Sequence, residues 1–189
     1  MFQQNLKKTI RNRFKDVKII NNKYFEDERG GFEKIFCKKK YQKYLKKEIK
    51  QINFSTSKKV GTVRGFHYKN ISDDEEKIIT CLKGKIFDVI VDLRKNSKTF
   101  LKSLSLELSE NDRFSLLIPK GFAHGFQSLI PNSQILYCHT NIYSPEDEKG
   151  FNIYDNFLNI KWPKKISVIS EKDLKLPNIK DINEFRKYM

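Results

Sequence analysis

Gln51-Ile52-Asn53-Phe54-Ser55-Thr56-Ser57 is followed, after Lys58-Lys59, by Thr62-Val63-Arg64-Gly65-Phe66-His67-Tyr68 and then by Lys77-Ile78-Ile79-Thr80-Cys81. The first run alternates polar with apolar residues, the period of a strand with one buried face. The other two are apolar runs bounded by turn residues, and they read as strands as well. The pattern continues to the end of the central region. Strands are predicted at 51–57, 61–69, 76–83, 85–93, 100–108, 113–118, 122–129 and 133–142. Between them stand Lys83-Gly84, Lys95-Asn96-Ser97, Ser109-Glu110-Asn111-Asp112, Pro119-Lys120-Gly121 and Pro131-Asn132. Many short strands with regular breaks predict a mainly β sandwich or barrel.

Outward from this region the signals thin. Asp16 to Asn21 opens a strand. Asp27-Glu28-Arg29-Gly30-Gly31-Phe32 is a turn signal leading to a strand at Lys34 to Cys37. Tyr41, Tyr44, Leu45 and Ile49 recur at helical spacing and predict a helix over Lys40–Ile49. Residues 1–15 read as irregular or a short helix. The tail after Trp162-Pro163 carries short helices around Glu171–Leu174 and Ile182–Tyr188. No linker, repeat or low-complexity tract divides the chain, so one domain is expected over 1–189.

Composition narrows the class. The 189 residues suffice for a real core, and 38% hydrophobic with 32% charged residues describes a soluble globular protein. No long uncharged apolar run predicts a membrane span, and the first residues lack the apolar centre of a signal peptide. A cytoplasmic location is expected. The net charge is +15, which raises a nucleic-acid partner. The lysines are spread over the whole chain, however, and read as compositional bias, so no nucleic-acid partner is expected. Cys37, Cys81 and Cys138 have no metal or redox spacing and read as free thiols in a reducing compartment.

The chemistry-bearing residues gather on the strands. Arg64 and His67 put a fixed cation and a titratable imidazole three residues apart. His124 follows Pro119-Lys120-Gly121, a turn able to aim it into a barrel, though a core histidine fits equally. His139 is assigned to the strand face opposite Tyr137 and read as structural. Metal binding in such barrels usually takes two histidines one residue apart plus a carboxylate. Here Lys69 stands two residues after His67, so no metal is expected. Lys77 could polarise a carbonyl oxygen, Tyr137 could supply a proton, and Arg64 could grip a diphosphate. Asp173, in Ser170-Glu171-Lys172-Asp173, could orient an imidazole or simply belong to a helix cap.

Taken together, these motifs resemble the dTDP-4-dehydrorhamnose 3,5-epimerase family of cupin-fold nucleotide-sugar epimerases, from about Tyr24 to Pro177. The residues that carry the resemblance are Asp27-x-Arg29-Gly30-x-Phe32, Gln51-x-Asn53-x-Ser55-x-Ser57, Arg64-Gly65-Phe66-His67-Tyr68 and Lys77-Ile78-Ile79. Further on they are Phe87 to Arg94, Ile118 to Phe126, Tyr137-x-x-Thr140-x-x-Tyr143-Ser144-Pro145, Trp162-Pro163 and Ser170-x-Lys172-Asp173. The resemblance implies a double-stranded β-helix (cupin jelly roll), a homodimer exchanging N-terminal strands, and no cofactor. It implies a nucleotide-diphosphate 4-keto sugar as substrate, inverted at C3 and C5. His67 then matches a general base, Asp173 its dyad partner, Tyr137 the general acid and Lys77 the group near the C4 oxygen. Gln51, Asn53, Arg64, His124, Glu148 and Lys172 match substrate contacts, and Tyr143 an aromatic placed near the base. Arg29, Phe32 and Lys34 match nucleotide contacts supplied by the partner subunit.

Three positions depart from the family pattern. Lys34 stands where a glutamate usually faces the thymine base, Lys69 where a glutamine often follows His-Tyr, and Ile153 where a tryptophan is expected. They leave open thymidine, guanosine or cytidine as the nucleotide, hexose or heptose as the sugar, and one or two inverted centres. A nucleotide-sugar 3,4-ketoisomerase and a non-catalytic sugar-binding cupin are the alternatives.

Overall fold

The computed structural model describes residue 10, residues 14–69 and residues 75–186. Most of the expected irregular or helical start and the last residues of the Ile182–Tyr188 helix lie outside the described residues. In chain order the strands are β1 (Lys18–Asn21), β2 (Lys23–Asp27), β3 (Gly30–Lys34), β4 (Gln51–Ser57), β5 (Val63–Lys69) and β6 (Lys77–Lys83). They continue as β7 (Lys85–Asp92), β8 (Ser103–Ser109), β9 (Phe114–Ile118), β10 (Phe122–Ser128), β11 (Ser133–His139) and β12 (Glu148–Gly150). Short helices are α1 (Lys38–Tyr41), α2 (Glu171–Leu174) and α3 (Asn183–Arg186).

Two five-stranded antiparallel sheets form the body. One runs β1-β9-β6-β11-β4 and the other β12-β5-β10-β7-β8, with β2–β3 a separate hairpin. The interleaved order is that of a cupin jelly roll. The central strands β9 and β10 are buried on both faces, and the edge strand β8 on one. In β8, Leu104, Leu106 and Leu108 are buried while Ser103 and Ser105 are exposed. The buried leucines join Ile79, Leu116 and Ile135 of the first sheet and Ile86, Ile90 and Phe126 of the second in one core between the sheets. Val89, Val91 and Phe66 face the other way and are covered by the C-terminal tail, through Phe151, Ile153 and Phe185. The outer face of the first sheet, through Ile20, Ile78 and Leu117, is covered by Tyr41, with Leu45 and Ile49 packed alongside.

The 40–49 segment corrects the helix expectation. Only Lys38–Tyr41 is α-helical. Leu45 N–H still donates to Tyr41 O, but the next amide, Lys46 N–H, donates to the Glu76 carboxylate at 2.6 Å. A distant side chain ends the helix, while turns alone suffice to place Tyr41, Leu45 and Ile49 on the core. The strand expected at Lys34–Cys37 is likewise displaced. The turn falls at Glu28-Arg29 and the strand occupies Gly30–Lys34.

One irregularity builds the site. Along the β10–β5 ladder, His124 faces His67 and Phe126 faces Arg64. Two residues of β10 therefore span three of β5, a bulge with one extra residue. In a regular strand, residues three apart point to opposite faces. The bulge turns Arg64 and His67 to the same side and sends Phe66 to the other, where its ring stacks on Phe151 at 4.8 Å. Gly65 makes this possible. Its φ is +124°, and a β-carbon there would sit 2.6 Å from the Gly125 Cα.

Among the described residues, no helix is long and apolar enough to cross a membrane.

Candidate active site

A cleft of about 480 Å³ lies between the two sheets and the tail. Into it point Arg64 and His67 from β5, Lys77 from β6, His124 from β10, and Tyr137 and His139 from β11. Asn53 and Ser55 of β4, Glu148 of β12, and Lys172 and Asp173 of α2 complete the wall. His67 and Tyr137 thus sit on different sheets and face one shared space.

α2 is a single turn, capped by Ser170, whose hydroxyl oxygen accepts from Asp173 N–H at 3.0 Å. The capping reading and the dyad reading of Asp173 therefore coexist: the backbone is capped and the side chain is free for other bonds. Asp173 Oδ1 lies 2.8 Å from His67 Nε2, and Oδ2 accepts from the Gly65 amide at 3.2 Å. Burial works against the charge, but the hydrogen bond and charge of His67, with Gly65 and Ser170, hold Asp173 below the usual aspartate range. An ionised carboxylate can only accept, so Nε2 carries a proton toward Asp173, and Nδ1 is the nitrogen that holds the lone pair when the ring is neutral. Nδ1 lies 4.0 Å from Glu148 Oε1. Glu148 in turn accepts from Lys172 at 2.6 Å and from the Tyr143 hydroxyl at 3.3 Å. Burial opposes its charge too, yet Lys172 and His67 keep it below the usual glutamate range.

On the facing wall, Tyr137 OH and Ser55 Oγ are 3.1 Å apart. Burial pushes the phenol up to about 12, against the pull of Ser55 and Arg64. It stays protonated across the physiological range. Lys77 Nζ lies 3.3 Å from Glu75 Oε2. Gln51 donates to Asn53 at 2.9 Å and accepts from the Tyr143 amide at 2.7 Å. His124 is buried and pairs with the fully buried Asp88 at 2.6 Å. The second carboxylate oxygen of Asp88 has no hydrogen-bond partner among the described residues.

His139 requires a correction. Residues two apart on a strand share a face, so His139 lies on the same side as Tyr137. Their rings stack at 6.2 Å with 20° between planes, and His139 lines the cleft rather than the core. The sequence reading also passed over Glu75, Asp88 and Ser55 as site residues. Ser55 was visible by its alternation with Asn53; Glu75 and Asp88 become visible only through the histidines they touch. Arg29, Phe32 and Lys34 are exposed on the β2–β3 hairpin and are not among the residues that line this cleft. Arg29 there pairs with Asp27 at 2.6 Å.

An imidazole backed by a carboxylate, a protonated phenol and an ammonium line one cleft of a jelly roll, a set suited to acid–base chemistry in an enzyme of the cupin architecture. Comparison with known proteins carries this further. The family model described as dTDP-4-dehydrorhamnose 3,5-epimerase matches residues 11–181. The dTDP-4-dehydrorhamnose 3,5-epimerase of Shigella flexneri is 38% identical over 178 residues, 93% of this chain and 98% of that protein. A crystal structure of the enzyme from Bacillus anthracis with TDP and pyrophosphate bound superimposes with a TM-score of 0.83 at 37% identity, covering 87% of this chain and 95% of that one. The Legionella pneumophila epimerase in complex with dTDP-4-keto-L-rhamnose gives 0.82 at 35% identity, covering 89% and 90%. The chain belongs to the dTDP-4-dehydrorhamnose 3,5-epimerase family and is an isomerase.

Proposed function

We propose that the protein inverts C3 and C5 of a dTDP-linked 4-keto-6-deoxy sugar, with His67 as base, Tyr137 as acid and Lys77 as the enolate-stabilising cation. The observation that carries this reading is the opposition of the His67–Asp173 pair and the Tyr137 hydroxyl across one cleft. A hydrogen next to a ketone becomes acidic when the enolate oxygen is stabilised. The Nδ1 lone pair of His67 takes that proton, the C–H electrons form the enolate double bond, and the negative charge collects on the C4 oxygen beside Lys77. Tyr137 O–H then delivers a proton to the opposite face of the same carbon, which inverts it. Arg64 suits one end of the diphosphate, and Gln51, Asn53, His124, Tyr143, Glu148 and Lys172 suit the sugar.

The test is NMR of the purified protein in heavy water with dTDP-, CDP- and GDP-linked 4-keto-6-deoxy sugars. Deuterium should enter C3 and C5 of the dTDP sugar with inversion. Movement of the carbonyl to C3 would instead establish a ketoisomerase, and binding without exchange for any sugar a non-catalytic cupin.

The proposal includes a homodimer, with 1–189 acting as one unit in each subunit. Phe25 and Phe32 on the hairpin are 57% and 64% exposed, and Ile52 and Phe54 on the edge strand β4 are 59% and 56% exposed. Large apolar side chains on an edge strand and a projecting hairpin favour cover by a second copy. The hairpin follows β1, at the opposite edge of the first sheet from β4, where Asn53 and Ser55 sit. Arg29 and Phe32 are therefore better placed for a partner's nucleotide than for their own. Mixing Arg29→Ala with His67→Ala subunits tests this at low substrate concentration. Random pairing in a two-fold dimer should restore about a quarter of wild-type activity, because half of the dimers then hold one intact site. No recovery on mixing would assign Arg29 to its own chain or to no site. A cytoplasmic location fits a nucleotide-sugar substrate and the three free cysteines.

A further inference from the structure

Glu75, just before β6, is 6% exposed and sits among cations. Its Oε2 is 3.3 Å from Lys77 Nζ, and its Oε1 is 3.2 Å from His139 Nδ1 and 3.8 Å from Lys69 Nζ. Burial opposes its charge, but the hydrogen bond from His139 and the charges of Lys77, His139 and Lys69 hold it below the usual glutamate range. A buried carboxylate is costly unless it is paired. Here the pairing links two groups at the ketone end of the cleft. One oxygen holds the Lys77 ammonium, and the other holds the imidazole that stacks on the Tyr137 ring.

Lysine is a point charge on a flexible stem, and nothing in its own shape fixes where the charge lies. Beside Lys77 a recess of about 130 Å³ adjoins the main cleft, lined in part by Gln51, Lys69, Glu75 and His139. Lys77 lines both spaces and Glu75 only the recess, so the carboxylate fixes the ammonium at their boundary, and without it the charge has no fixed position relative to the cleft. Stabilisation of a developing oxyanion depends on a charge already in place, and a misplacement of about 1 Å can cost about 10²-fold in rate.

We propose that Glu75 is a positioning residue for ketone activation, holding Lys77 Nζ against the enolate oxygen and the His139 ring against Tyr137. This rests on the epimerase reading above. It adds a role for a residue that meets the substrate only through its neighbours.

The experiment compares the wild type, Glu75→Ala, Glu75→Gln, Glu75→Asp, Lys77→Ala and Glu75→Ala/Lys77→Ala. Each is assayed on dTDP-4-keto-6-deoxyglucose in heavy water, with kcat, KM and melting temperature recorded. Glu75→Ala should lower kcat by about 10–10²-fold while KM stays within about threefold, the split expected when only transition-state stabilisation is lost. Glu75→Gln keeps an oxygen for Lys77 and should recover kcat to within about threefold of wild type. Glu75→Asp keeps the charge but withdraws it by one methylene. It should lose about tenfold, and it carries the test if the alanine variant does not fold. In the Lys77→Ala background, Glu75→Ala should cost clearly less than it does alone, because only the His139 contact is then left to lose. The proposal is overturned if Glu75→Ala and Glu75→Asp both keep kcat within about twofold, or if the Glu75 and Lys77 losses multiply. Absence of exchange in the wild type would instead remove the epimerase reading itself. Exchange in the wild type with unaffected variants removes only the role of Glu75.

Discussion

His67→Ala is expected to lower kcat by about 10²–10⁴-fold, or about 3–5 kcal/mol of activation free energy, with the fold intact. The side chain is partly exposed at the cleft wall, and its ring leaves no large hole in the core. The loss should fall on proton abstraction itself, so deuterium entry and inversion should decline together at both carbons. Asp173 gives the same argument a second handle. With Asp173 ionised, Nε2 donates and Nδ1 is basic. In Asp173→Asn the amide NH₂ can donate to Nε2, which moves the ring proton to Nδ1 and removes the lone pair from the cleft. That variant should lose kcat with little change in KM. Wild-type exchange rates in His67→Ala, measured by NMR in heavy water, would remove the imidazole from the mechanism.

The central strands were legible because their information is local. Gln51–Ser57 carries its alternation in seven adjacent residues, and β4 has those same bounds. Pro119-Lys120-Gly121 marks the start of β10 for the same reason, since turn chemistry is a property of the residues in the turn. The 40–49 segment failed because its outcome is set from a distance. Its apolar spacing is helical, yet the Glu76 carboxylate takes the Lys46 amide that a longer helix would have used. No local propensity contains that competitor.

The site divides along the same line. The bases, acids and cations on strand faces could be named one by one, since each belongs to a recognisable motif. What binds them to one another was named in one case only, Asp173 beside His67, and there through the family resemblance. Each histidine proves to have its own carboxylate, Asp173 for His67, Asp88 for His124 and Glu75 for His139. These partners lie 106, 36 and 64 residues away. Arg64 and His67 share a face only because β5 carries one residue too many, and Gly65 is the sole trace of that in the sequence. His139 is different in kind. It stands two residues from Tyr137, so strict alternation already put it in the cleft.

Tyr137→Phe is expected to separate exchange from inversion. In the proposed mechanism the phenol returns a proton to the face that His67 does not reach. Burial raises its pKa to about 12, so the hydroxyl keeps its proton through the physiological range. Removing the hydroxyl leaves His67, Asp173 and Lys77 in place, so the enolate still forms. Its proton can then come back only from the His67 side, which restores the starting configuration with deuterium in it. Inverted product should fall by about 10²–10⁴-fold, the usual worth of a positioned acid. Deuterium in unreacted sugar should fall far less, so the ratio of exchange to inversion should rise. The fold should tolerate the change at a cost of about 1 kcal/mol, because one hydrogen bond to Ser55 is lost and the ring remains. If exchange and inversion fell by the same factor, Tyr137 would act before the enolate rather than after it. If neither fell, the acid would have to be another group lining the same wall, and His139, stacked against that ring, would be the first to replace.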